Sequence, residues 1–320
     1  MLSIRILLLS LAALLVADFP IAAQTAARGG SKLPSESSLN RFGLTRRWWG
    51  HATVNFNRDK LVFLTVDEEY LFLQSSAGVV TAFDCETGRQ LWARTLGSRD
   101  RPTFRASLND ELLFVVNGMK LYAARKKTGD IVWELNLPAQ ASSSPVADDE
   151  RVFVGFLDGS MYAFDLEKIQ DRYSAGLLPQ YSAETVLWRY RTNRPITIPA
   201  VPGGKLVAFA SQNGSLYSLA ADTHRMVFQF ETDAKLSAPM VRYENNLLLA
   251  SEDSNFYSLN LLNGKPAWQF TTGVVIRKAP VLIEDEVYLI PERHNLYKLS
   301  AEKGVAEWKQ PEIDTFLSAS

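Results

Sequence analysis

Six aromatic residues recur along this chain at a nearly constant interval, and that interval constrains the fold more than any other feature. They are Trp92, Trp133, Trp188, Phe228, Trp268 and Trp308, and only the step from Trp133 to Trp188 is longer than the rest. Each closes the same pattern: small or aromatic residues, a polar turn, then a short apolar run ending in the marker. The fullest copy is Ala82-Phe83-Asp84-Cys85-Glu86-Thr87-Gly88-Arg89-Gln90-Leu91-Trp92. A fixed period of about 40 residues without a helical pattern denotes a repeat array, and strand-rich units of that length point to a propeller. The expected fold is all-β: a β-propeller of four-stranded blades, with six recognisable repeats and a partial seventh built from both chain ends.

Each unit offers four short strands. In the third copy these are Ser144 to Val146, Arg151 to Gly155, Ser160 to Asp165 and Val186 to Tyr190. The second and third strands are joined through Asp158-Gly159, and Asn213-Gly214, Ala77-Gly78 and Asn117-Gly118 hold the same place in other copies. Such pairs supply the positive φ angles that tight hairpins demand. Copies five and six carry Ser254-Asn255 and His294-Asn295, where Asn is expected to take the left-handed conformation. A second turn places Gly88, Gly129, Gly264 and Gly304 four positions before the marker, with His224 there in copy four. Pro145, Pro199, Pro239 and Pro280 each follow the preceding marker by a nearly constant step. Proline cannot donate to a sheet ladder, which suits the start of an inner strand.

The markers have a packing rationale. Blades are twisted sheets stacked face to face, and a large ring on an outer strand can slot between two of them, burying about 150–250 Å². Trp92, Trp133, Trp188, Phe228, Trp268 and Trp308 are therefore expected to dock blade on blade.

Composition narrows the function. Lys plus Arg number 34 against 35 Asp plus Glu, a net charge of −1, so no basic domain suggests a nucleic-acid partner. Cys85 is the single cysteine, which excludes an intrachain disulfide and thiolate metal sites, and His51, His224 and His294 are scattered. Arg5 followed by the apolar run Ile6 to Val16 and small residues at Ala22 and Ala23 reads as an export signal over residues 1–23. The run is about half of the roughly 20 residues a membrane-spanning helix needs, so no transmembrane segment is expected in the mature chain. No cysteine stands near the cleavage region to accept a lipid. Residues 24–44, rich in Ala, Gly, Ser and Thr, read as a flexible linker, and 45–320 as the propeller. The expected location is the periplasm or the exterior.

The pattern Ala-x-Asp-x-x-Thr-Gly-x-x-x-Trp, complete from Ala82 to Trp92, resembles the quinoprotein-type (PQQ-like) tryptophan-motif repeat. Copies two, five and six match in part, copy three carries an insertion, and copy four lacks both Gly and Trp. The resemblance spans about residues 46 to 320. Among non-enzymatic members the chain is most similar to the periplasmic propeller lipoproteins of the outer-membrane β-barrel assembly machinery, from which it departs in lacking the lipid-acceptor cysteine. Propellers of this type usually have seven or eight blades. Arg46-Arg47-Trp48-Trp49 is accordingly expected to supply the outer strand of a final blade and Glu312 to Ser320 its inner strand, with truncation of the sequence preferred over an open ring. Quinone-dependent enzymes of the superfamily use a bound calcium, a catalytic carboxylate and vicinal cysteines; one cysteine cannot form that pair, and no catalytic residue carries over.

The acidic pairs Asp67-Glu68, Asp148-Asp149 and Asp285-Glu286 recur between first and second strands, and read as solvated turn residues rather than acid–base or metal groups. Two features remain for a partner. Arg105, Arg194, Lys235 and Arg277 precede inner strands and are candidates for a positive rim around one channel mouth. The third copy exceeds the others by about 15 residues, within Leu166 to Glu184, and this loop presents Tyr173 and Tyr181. The reading is an exported, monomeric, non-catalytic scaffold without catalytic, cofactor-binding or metal-binding residues. It would contact another envelope protein, with outer-membrane protein assembly as the candidate process. The alternatives are a PQQ- or metal-dependent periplasmic oxidoreductase and a carbohydrate-binding module.

Overall fold

A computed structural model describes residues 35–311 except 53, 56, 179, 181, 293 and 294. The chain divides into two compact units, residues 1–46 and 47–320. The export signal and most of the expected linker lie outside the described residues. Within the span read as linker, Glu36–Asn40 forms one helical turn, capped by Ser35, whose Oγ accepts from the Ser38 amide at 3.1 Å.

The second unit is a run of six four-stranded antiparallel sheets, each with its strands in sequential order. They span residues 61–95, 107–136, 146–191, 201–231, 241–271 and 281–310, and are here blades one to six. Blade three shows the shared layout: Val146–Ala147, Arg151–Gly155, Ser160–Asp165 and Val186–Arg191. The prolines stand at or just before the short inner strands, which begin at Val146, Val201, Val241 and Val281 in blades three to six. Inner strands have two or three residues except Leu61–Val66 of blade one, which has six.

Five apolar clusters among the described residues each lie between two successive blades, so the core is a stack of interfaces. The second strand of each interior blade feeds two of them by simple alternation. In Arg151–Gly155, Val152 and Val154 enter the cluster shared with blade two, and Phe153 that shared with blade four. In Leu206–Ala210, Val207 and Phe209 face blade three while Ala208 and Ala210 face blade five. Successive side chains on a strand point to opposite faces, and a sheet covered on both faces needs an uninterrupted apolar run.

The outer pair of strands carries a bulge at the same place in all six blades. Trp92 pairs with Ala82 and Gln90 with Phe83, leaving Leu91 as the extra residue before the marker. The same shift precedes Trp133, Trp188, Phe228, Trp268 and Trp308. A bulge inserts one unpaired residue and re-aims its neighbours. Opposite the marker stands a small residue (Ala82, Ala123, Ala163, Ser218 or Ser258) in blades one to five, and Lys298 in blade six.

One turn expectation needs correction. In copy five the left-handed residue is Ser254 (φ 74), not Asn255. Ser254 occupies the place of Gly214, and the Asn255 side chain instead reaches Tyr257 and accepts from Thr271. His294 lies outside the described residues. The expected outer strand at Arg46 to Trp49 does not form, since residues 44–50 have no regular structure. Glu312 to Ser320 lies outside the described residues.

Candidate functional site

The blade joints are built by a repeated contact. Trp92 donates its indole N–H to the Lys126 carbonyl at 2.7 Å, and its ring lies so close over Gly129 that an added Cβ would meet it at 2.5 Å. Trp268 does the same to Ala301 (3.0 Å) and Gly304. Trp188 donates to Ala221 at 2.5 Å, with the His224 ring (φ 50) in the glycine's place. Phe228 covers Gly264 without an N–H to donate. Each ring therefore seals the outer turn of the following blade. The turn itself is closed by Asp84, whose Oδ1 accepts from both the amide and the hydroxyl of Thr87 at 2.7 Å. Those bonds hold the Asp84 carboxyl below its usual range.

Trp133 is 1% exposed but faces a different neighbour. The insertion of blade three is not a free loop. Leu166–Ser174 is a helix, N-capped by Asp165, and it packs on the outer strand Ile131–Asn136 of blade two. Leu166 and Ile169 enter the cluster that holds Trp133. Arg172 pairs with Glu184 at 2.7 Å, tying the helix to the turn Ser182–Thr185. Tyr173 is exposed on this helix, and Tyr181 lies outside the described residues. Trp308 differs from the other markers in being 42% exposed.

Two joints escaped the sequence reading. Trp48 donates to the Cys85 carbonyl at 2.8 Å and lies over Gly88, filling on blade one the position that Trp92 fills on blade two. It stands roughly one repeat period before Trp92, and that spacing is the available signal. Thr192, Thr232 and Thr272 recur at the repeat period. Each donates a hydroxyl to a hairpin carbonyl of the same blade (Gly159, Gly214, Ser254) and to the residue two further on. Leu96 and Leu137 hold this place in blades one and two, making only the backbone bond.

Two of the recurring acids, Asp67 and Asp148, serve their own turns, whereas Asp285 Oδ1 accepts from the Tyr243 hydroxyl of blade five at 2.9 Å. Asp67 Oδ1 accepts from the amides of Glu69 (2.9 Å) and Tyr70 (2.7 Å), and Asp148 Oδ1 from Glu150 and Arg151. Burial pushes the Asp67 carboxyl up, but the hydrogen bond from Lys126 at 2.8 Å and the two amides outweigh it and hold it below the usual range. Asp67 and Lys126 sit in a groove of about 780 Å³ between blades one and two, which also presents Glu68, Asp110, Glu111 and Lys127. Cys85 is half-buried, and burial, then the Asp67 and Asp84 charges, push its thiol up. A raised thiol is a poor nucleophile at neutral pH. Among the described residues no group of three His, Cys, Asp or Glu side chains is placed to hold a metal ion, and no helix is long and apolar enough to cross a membrane.

The four basic residues stand beside the hairpins that join second to third strands, but at different registers. Arg194 and Lys235 are exposed, and their carbonyls accept from Ser211 and Glu252. Arg105 is half-buried and engaged. Arg277 shares a register with Thr197 and Ser237, nine positions after the respective markers. Its guanidinium pairs with Glu252 at 3.1 Å and with Glu292, so its charge serves the joint between blades five and six. Burial raises the Glu252 carboxyl, and the hydrogen bonds from Arg277 and Ser237 together with the Arg277 and Lys235 charges more than reverse this.

Comparison with known proteins bears on the whole array. The sequence pattern of the family described as "Outer membrane protein assembly factor BamB" matches residues 76–172 and 174–316. A curated protein of that name from Moranella endobia (strain PCIT) is 29% identical over 114 residues, covering 32% of this chain and 29% of the relative. The match thus spans less than a third of that relative's length. Among solved structures, BamB from Moraxella catarrhalis superposes with a TM-score of 0.62 at 13% identity, over 79% of this chain and 74% of the other. The computationally designed Ika8 protein gives 0.63 at 12% identity, over 78% and 73%. At such identities these two likenesses establish the fold alone.

Proposed function

We propose a role that proceeds from one fact: this chain belongs to the family of the outer membrane protein assembly factor BamB. It acts as an exported, non-catalytic propeller scaffold in the cell envelope, contacting another envelope protein during outer-membrane protein assembly. Residues 1–23 direct its export, residues 24–44 link, and the propeller that follows binds. The observation that supports this reading is where the polar side chains are engaged. Asp67, Asp84 and Asp148 close their own turns, and Arg277 joins two blades. What stays open is surface: Arg194 and Lys235 beside the hairpins, and Tyr173 on the helix of blade three.

The experiment is in-cell crosslinking of the tagged full chain, followed by capture from envelope extract. The scaffold reading expects one reproducible outer-membrane assembly protein, with capture reduced several-fold by Arg194→Ala combined with Lys235→Ala. Reconstitution with calcium and pyrroloquinoline quinone is the opposing arm. A bound chromophore with dye-linked substrate oxidation sinks the scaffold reading, because a shared fold warrants no shared activity.

A further inference from the structure

The inner strand of blade one differs from its counterparts in length and in what it leaves uncovered. Leu61–Val66 has six residues where the others have two or three, and it carries neither a charge nor a proline. Leu61, Val62, Leu64 and Val66 are 43%, 37%, 40% and 50% exposed, whereas the inner strands of blades two to six expose a single large apolar residue, Ile283.

This strand has a neighbour on one side only, Tyr70–Ser75. The register shows which backbone groups that pairing uses. The Asp67 amide donates to the Tyr70 carbonyl at 3.0 Å, and Val66, Thr65, Leu64 and Phe63 stand opposite Leu71, Phe72, Leu73 and Gln74 in turn. Opposed residues of an antiparallel pair alternate between exchanging two bonds and exchanging none. Counting back from Asp67, Thr65 and Phe63 bond to Tyr70–Ser75, so Leu64 and Val66 turn their N–H and C=O groups to the free edge. Among the described residues no backbone partner meets those groups. The side chains divide the same way. Thr65 faces blade two, its hydroxyl reaching the Ala106 carbonyl at 3.5 Å, and Leu64 and Val66 point to the opposite face.

Unpaired edge groups two residues apart match the backbone of another extended strand. The ends of Leu61–Val66 give such a strand a direction. Lys60 and Glu68 flank it, both exposed and opposite in charge. A strand running antiparallel brings its C-terminal end to Lys60 and its N-terminal end to Glu68, and opposite charges across a pair are favourable. We propose that this edge binds an extended peptide segment of a partner protein, antiparallel to Leu61–Val66. The segment places alternate apolar residues on the side of Leu64 and Val66, a cation toward its N-terminus and a carboxylate toward its C-terminus. The edge shares no residue with Arg194, Lys235 and Tyr173, so it neither requires nor replaces the surface proposed above.

The test is fluorescence anisotropy with the purified full chain and the labelled peptide Lys-Thr-Val-Thr-Ile-Thr-Val-Thr-Glu, which sets its Ile opposite Leu64. Saturable binding is expected. N-methylation of the Ile, whose N–H faces the edge, should weaken binding by about tenfold or more, the equivalent of one hydrogen bond. N-methylation of the preceding Thr, whose N–H faces away, should leave it nearly unchanged. Leu64→Pro removes the outward donor and no bond to Tyr70–Ser75, a change that an edge strand tolerates; it should weaken binding to the same degree and keep the parent's thermal melt. The charge-swapped peptide, with Glu first and Lys last, should bind several-fold more weakly. Absence of saturable binding, equal loss from the two methylations, or equal affinity for the charge-swapped peptide overturns the proposal. The modified peptides leave the protein unaltered, so these outcomes hold even where Leu64→Pro fails to fold.

Discussion

Trp48 donates its indole N–H to the carbonyl of Cys85 at 2.8 Å, joining distant parts of the chain, and lies against Gly88. Trp92 with Lys126, Trp188 with Ala221 and Trp268 with Ala301 repeat that relationship between successive blades. Blade one is therefore sealed by a residue that belongs to no strand. Cys85 enters this joint through its carbonyl, while its thiol donates to the Asp67 carbonyl at 3.8 Å.

Removing that ring should destabilise the second unit. Trp48→Ala is expected to cost about 2–3 kcal/mol, less than the usual figure for a fully buried Trp because this one is half-buried. Trp48→Phe keeps the ring and should cost about 1 kcal/mol for the lost hydrogen bond. Trp49→Ala is the control: at 61% exposure it should change urea stability by less than about 0.5 kcal/mol. Equal losses at 48 and 49 would contradict the joint.

Gly129 is constrained twice, by φ +71 and by the Trp92 ring above it. Gly204 has a similar φ of +73 and nothing within 4 Å of an added Cβ. Gly204→Ala should therefore show the backbone cost alone, about 1 kcal/mol. Gly129→Ala should exceed it by about 1–3 kcal/mol more, the cost of overpacking a filled site. Thermal melts of the two variants measure the difference directly.

The bond between Asp67 and Lys126 should shape the acid limb of stability. The folded state holds the Asp67 carboxyl below its unfolded value, so its contribution is fully present above about pH 4 and is lost as pH falls through the folded value. Asp67→Asn should be less stable than the parent at pH 7, with the gap narrowing as both are acidified. A gap that stays constant down to pH 2 would show that the charge plays no part.

Thr192 is buried and donates to Gly159 at 2.9 Å and to Arg194 at 2.7 Å. Thr192→Val keeps the shape and removes the hydroxyl's bonds, while the Gly159 carbonyl keeps the residue-192 amide and the Arg194 carbonyl keeps Ser211, a change expected to cost about 1 kcal/mol by chemical denaturation. Thr192→Ser should recover most of it.

Sheet architecture was largely legible in the residues, and which groups meet at the joints was not. The repeat period, the Gly of the outer turn and the strand order follow from chemistry local to each copy, where a positive φ or an alternating strand depends on near neighbours. The candidate site was read less well. Arg277 looked like a free cation because Glu252 and Glu292 belong to the hairpins of two different blades and reach it only once those blades meet. The insertion of blade three looked like an open loop because its apolar residues, Leu166 and Ile169, find their cover on blade two.

Sequence alone established that this chain builds repeated four-stranded units and marked the aromatic that ends each one, since backbone preference and side-chain period act over short stretches. Tertiary structure decided which glycine each ring covers, that Trp48 joins the set, that a bulge re-aims every marker, and which charges are neutralised. Those outcomes depend on contacts made between blades, and a contact between blades exists only once two sheets have been brought face to face.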